Sequence, residues 1–153
     1  MAESTLFRLR ADPQDSSWAQ GDPAVPLADL AAGGTAVRLE PGDDARALIP
    51  HLASLRRIDI SFPKFREGRG FSSARILREA GFAGEIRAVG VLYVDQLAFL
   101  VRAGFDAVLP ETLFDPAVAR ATLARFPHVY MKAADSARPV WLLREERALA
   151  ARP

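Results

Sequence analysis

The chain has 153 residues, half of them hydrophobic and a quarter charged, with a formal net charge of +1 and no cysteine. That length fits one domain with a real core, and the near-neutral charge provides no field to draw the whole protein onto nucleic acid. The lack of cysteine excludes disulfides, thiolate nucleophiles, iron–sulfur clusters and Cys-type zinc sites.

The first 34 residues are rich in Pro, Gly, Asp and Ser and read as an irregular lead-in packed on the domain, with Trp18 and Val25 as its anchors. They show neither a secretory signal nor an apolar run long enough to span a bilayer, so the expected location is cytoplasmic with no membrane contact.

Residues 35–153 are expected to form an α/β domain. "TAVRLE" is a short β-branched strand, and "PGDDARALIPHLASL" follows at helical spacing, with Asp43 or Asp44 as cap and Pro50 as an early end. "RIDISF" alternates, placing Ile58, Ile60 and Phe62 on one side and Asp59 and Ser61 on the other. A second helix is expected from about Ser72 to Ala80, stopped by Gly81, and a third over "VDQLAFLVRAG", stopped by Gly104. Strands "EIRAVG" and "FDAVLP" precede and follow that third helix. Asp115 and Pro116 begin a fourth, "HVYMK" is a candidate fifth strand, and "PVWLLREERALAARP" is a terminal helix placed to cover a sheet edge.

Strands alternating with helices imply parallel βαβ units, here about four or five in an open sheet, with a half-barrel-like sheet related to TIM barrels as the alternative. Ligands of such sheets sit outside the carboxyl ends of the strands. The loop "PKFREGRGF" lies there, and Arg66, Gly68, Arg69, Gly70, Ser72 and Ser73 gather cations, hydroxyls and backbone donors where the second helix begins. Such a cluster needs a negative partner, either a bound anion or a carboxylate of the chain such as Glu67, Asp59 or Glu79. Arg87 joins the candidate anion site. It falls beside Asp59 if their strands pair in register, an ion pair read first as structural.

Glu40, Gly90, Tyr93, Glu111 and Lys132 follow other strands on the same rim, and Asp59, Asp95 and Glu111 are the candidates for an acid or base, with helix capping the plainer role for Asp95. His51 and His128 stand alone, so no metal site is expected. No Walker loop, dinucleotide fingerprint or Gly-x-Ser-x-Gly elbow occurs, and no cofactor is demanded.

Six elements, Phe62 to Phe65, Gly68 to Ser72, Ala74 to Arg78, Gly84 to Ala88, Asp95 to Leu97 and Arg102 to Asp106, resemble the bacterial family known as domain of unknown function 934. The resemblance implies an association with assimilatory sulfite reduction, and hence a sulfur oxyanion, sulfite reductase or another sulfur-assimilation enzyme as partner. The chain departs from the family pattern at Val91 and Val94, where an acidic and a basic residue are expected. The leading expectation is an accessory protein that binds an anion; an enzyme acting on a phosphorylated or sulfated small molecule comes second, and a structural homodimer subunit or docking partner third.

Overall fold

The computed structural model describes residues 6–9 and 23–151. Its centre is a six-stranded sheet of β1 (Phe7–Arg8), β2 (Val25–Pro26), β3 (Ala36–Leu39), β4 (Arg57–Phe62), β5 (Glu85–Gly90) and β6 (Ala107–Pro110), in the order β1-β6-β5-β4-β3-β2. Strands β2 to β6 are parallel, and β1 lies antiparallel along β6. The sheet is open and mainly parallel, as expected, and β2 to β6 follow one another in chain order, while β1 lies beyond β6. Consecutive right-handed crossovers in such an order return on the same face, the winding expected of the half-barrel alternative.

That face holds the core. Val37, Leu39, Ile58, Ile60, Phe62, Ile86, Ala88 and Val108 alternate along the strands and pack against Ala74 and Leu77 of α1 (Arg69–Glu79), Leu97 and Leu100 of α2 (Leu97–Ala103) and Ala119 of α3 (Pro116–Ala124). The period-two strand pattern and the three-to-four helical spacing therefore converge on one layer. Gly81 and Gly104 end α1 and α2 at φ of 89° and 107°, a region that glycine enters without a Cβ penalty.

Several local expectations change. The segment Ala45–His51 is a 3-10 helix capped by Asp44, which accepts the Arg46 N–H at 3.0 Å. Pro50 lies inside it and has no N–H to give to an α-helical ladder. The second helix begins at Arg69 rather than near Ser72, because Glu67 accepts the Arg69 N–H at 3.2 Å and Gly68 already has a right-handed helical conformation. The third helix opens on a short 3-10 turn, Val94–Gln96, where Gln96 Oε1 accepts the Tyr93 N–H at 2.9 Å; Asp95 is not its cap.

"HVYMK" is not a sheet strand. Val129 makes an isolated bridge to Pro139, and the edge of β6 that it would need is taken by Phe7–Arg8. Lys132 is therefore absent from the strand rim and lies over the Trp141 ring at 5.7 Å. The terminal helix α4 (Val140–Ala150) has no buried residue and is tied to this connection through Trp141 Nε1, which donates to the Tyr130 carbonyl at 3.1 Å. Both sheet edges belong instead to the lead-in, through β1 and β2. Trp18 lies outside the described residues; Val25 pairs with Val37.

Candidate functional site

The loop singled out from the sequence provides its own anion. Glu67 Oε1 accepts from Arg69 Nε at 2.9 Å and from the Arg69 N–H, and Glu67 Oε2 accepts from Nη2 at 3.1 Å. Hydrogen bonds from the Arg69 side chain and backbone hold the Glu67 carboxyl below its ordinary value of 4.5, while Glu67 raises Arg69. Ser73 Oγ donates to the Arg69 carbonyl at 3.2 Å, and Arg66 is exposed with no ion pair among the described residues.

The two loop glycines have no ligand-dependent reason to be glycine. A Cβ on Gly70 would lie 2.5 Å from Phe62 Cζ, so the missing side chain makes room for core packing. Gly68 has φ of −96° and nothing within 4 Å of a Cβ. Arg69, Gly70, Ser72 and Ser73 do share a cavity of about 280 Å³ with Ser61 and the loop after β3, at the carboxyl ends of β3 and β4. That cavity also carries Glu40, Asp43 and Asp44. Asp43 accepts the Glu40 N–H at 2.8 Å and Asp44 caps the 3-10 helix, so the acids there serve backbone geometry.

Arg87 occupies a different place, in a cluster that strand register explains. Arg38, Asp59 and Arg87 are successive cross-strand partners, as are Ala36, Arg57 and Glu85, and Arg8 is paired with Ala107 beside Arg87. Since paired residues share a face, all these side chains project from the side of the sheet opposite the apolar core. Within the strands, that face carries Arg8, Arg38, Arg57 and Arg87 against Asp59 and Glu85. Among these described strand residues cations exceed carboxylates by two.

The centre of this cluster is buried, with Arg57, Asp59, Glu85 and Arg87 only 5–6 % exposed. Asp59 Oδ1 lies 3.1 Å from Arg57 Nε and 4.0 Å from Arg87 Nε, while Arg87 Nη2 is 2.8 Å and Nε 2.9 Å from Glu85 Oε1. Arg8 Nη2 reaches Glu85 Oε2 at 3.9 Å. Proximity is not saturation: Asp59 Oδ1, Glu85 Oε2 and Arg87 Nη2 are buried without a hydrogen bond among the described residues. Polar atoms in that condition carry a desolvation cost that a correctly placed acceptor or donor would relieve. Burial pushes the Asp59 carboxyl above its ordinary value of 3.8, outweighing the lowering pull of Arg57, Arg87 and Arg38.

One row nearer the carboxyl ends, Ser61, Val89 and Leu109 are only half-buried. The face is thus closed around the charges and more open at the end where ligands of parallel sheets bind. Neither Arg8 nor Arg38 was singled out from the sequence. Their signal is strand alternation, and it becomes readable only once the neighbouring strands are known.

The three candidate acids are dispersed. Asp59 is in this cluster, Glu111 is exposed after β6 with its N–H donated to the Gly90 carbonyl at 2.9 Å, and Asp95 is exposed beside a second cavity between α2 and α3. No group of three His, Cys, Asp or Glu side chains with metal-ligand placement occurs among the described residues. Among those residues no helix is long and apolar enough to cross a membrane.

The family model for a bacterial protein of unknown function, domain of unknown function 934, matches residues 36–141. The chain belongs to this family. No curated protein and no solved structure matches it. At the two positions where the resemblance leads one to expect charged residues, the Val91 N–H donates to the Phe62 carbonyl at 2.7 Å and Val94 packs against the core.

Proposed function

We propose that this family member is a binding protein for a small oxyanion, held by arginines on the sheet face opposite the helices, and that it serves as an accessory protein of assimilatory sulfite reduction. The observation that carries the anion reading is the excess of arginine over carboxylate among the described strand residues of this face, with the buried donor Arg87 Nη2 still without a hydrogen bond among them. A tetrahedral or pyramidal oxyanion offers several acceptor oxygens, and guanidinium groups present paired donors that match them. The sulfur link comes from the family resemblance alone. Relative to the loop at 66–73, the arginine face is favoured because Glu67 already neutralises Arg69.

Arg38 is the residue to test, because it is exposed on the face and its removal leaves the buried pairs intact. In calorimetric titrations with sulfite, sulfate and phosphate, the wild-type protein should bind at least one of them. Arg38→Ala should weaken that binding by about tenfold, the loss of one charge-assisted contact of about 1.4 kcal/mol, while Arg69→Ala should leave it unchanged. Binding that survives Arg38→Ala and disappears in Arg69→Ala would move the site to the loop. No heat with any of the three anions would overturn the reading.

A further inference from the structure

On the opposite side of the molecule, α2, α3 and the connection after α3 enclose a cavity of about 480 Å³. Its walls include Phe99, Leu123, Phe126 and Val129, and two of these are large side chains left mostly in water: Phe99 is 67 % exposed and Phe126 is 70 % exposed. Tyr130 and Met131 continue the apolar surface, equally exposed, on the adjoining segment. This segment is fixed from beneath by Arg102, whose Nη1 donates to Asp135 at 2.6 Å and whose Nη2 donates to the Met131 carbonyl. Scattered exposed apolar residues are ordinary, but a contiguous set around a braced groove marks a contact surface.

The charges around the groove narrow the choice of occupant. Asp95 and Arg125 are exposed, and each lacks an ion pair among the described residues; Arg102 and Asp135 neutralise one another. The lining is therefore neutral overall, with one unpaired acid and one unpaired base. A strongly acidic or basic partner finds no complement here, and an anionic lipid surface finds no basic cluster. A two-fold contact pairs residue i with j and j with i, so it needs opposite charges on the same patch.

We propose that this groove is the contact face between two copies of the chain, with Phe99 and Phe126 buried at the centre and Asp95 of each copy facing Arg125 of the other. The arginine face on the far side of the sheet is unsuited to that role, since its excess cations would repel their own copies. The dimer is independent of oxyanion binding.

Sedimentation equilibrium of the intact protein over a wide concentration range tests the proposal. The wild type should form dimers, and Phe99→Glu should weaken them by at least about tenfold, as expected for truncating and charging a central anchor. Asp95→Arg and Arg125→Asp should each weaken the dimer, and the double variant should restore it, because the exchange preserves the pairing. All three substituted positions are exposed, so retained melting transitions will separate lost association from lost folding. A wild type that stays monomeric overturns the proposal. So does a dimer insensitive to Phe99→Glu, or charge reversals that the double variant does not rescue.

Discussion

Arg78 on α1 and Asp106 before β6, 28 residues apart, form an ion pair that joins the ends of three elements. Arg78 Nε also donates to the Gly104 carbonyl at 2.9 Å, and Nη1 to the carbonyls of Phe82 and Gly84 at 2.7 and 2.8 Å. Asp106 in turn accepts the Ile86 N–H at 2.8 Å. The pair lies at the amino ends of β5 and β6, opposite the end where ligands of such sheets bind. These residues lie within the span that matches the family model, and their contacts are structural.

Arg78→Ala should therefore be among the most destabilising single substitutions. It leaves the half-buried Asp106 carboxylate without its guanidinium and removes donors from three carbonyls, a change of about 2–4 kcal/mol, somewhat less than for a fully buried pair. Urea unfolding measures it directly. A loss below about 1 kcal/mol would show that solvent replaces these contacts.

The glycines around Phe62 should respond in a fixed order. Gly90 has φ of 123°, and a Cβ there would lie 2.4 Å from the Phe62 carbonyl oxygen, which is backbone and cannot step aside. Gly70→Ala meets the movable Phe62 ring at 2.5 Å and should cost about 1–3 kcal/mol through overpacking, with Gly90→Ala costing more. Gly68→Ala, in open space at an ordinary backbone angle, should be neutral or stabilise by about 0.4–1 kcal/mol through the unfolded chain. Thermal melts of the three variants check the series.

Asp59 should give the stability curve a recognisable acid-side slope. Its folded carboxyl binds a proton more readily than the ordinary value of 3.8 allows, because burial disfavours the charge. Between 3.8 and that raised value the folded state holds more proton than the unfolded state, so this group's contribution makes stability fall as pH rises. Subtracting the pH profile of Asp59→Asn from that of the wild type should isolate a falling component just above pH 3.8. A component that rises there would mean that the arginines outweigh burial.

Asp115 caps α3 by accepting the Ala117 N–H at 2.8 Å and the Val118 N–H at 3.4 Å. Asp115→Ala should cost about 1 kcal/mol, while Asp115→Asn should retain most of the cap. Chemical denaturation of both variants distinguishes loss of the acceptor from loss of the charge.

The sequence by itself determined the elements whose pattern is local. Alternation in "RIDISF", the Asp115–Pro116 start and the glycine stops at 81 and 104 each act within one turn or one strand, and the structure retains them. Even the pairing of Asp59 with Arg87 followed from parallel register once their strands were taken as neighbours. Other features depended on contacts far along the chain. Two-residue strands have no period to read, so tertiary pairing alone assigned Phe7–Arg8 and Val25–Pro26 to the sheet edges and excluded "HVYMK". The opening at 66–73 contained cations and a carboxylate in the same few residues, and only side-chain geometry decided that Glu67 answers Arg69. Strand order, likewise, was needed to bring Arg8 and Arg38 to the face of Arg57 and Arg87, because alternation fixes which side a residue faces but not whose neighbour it becomes.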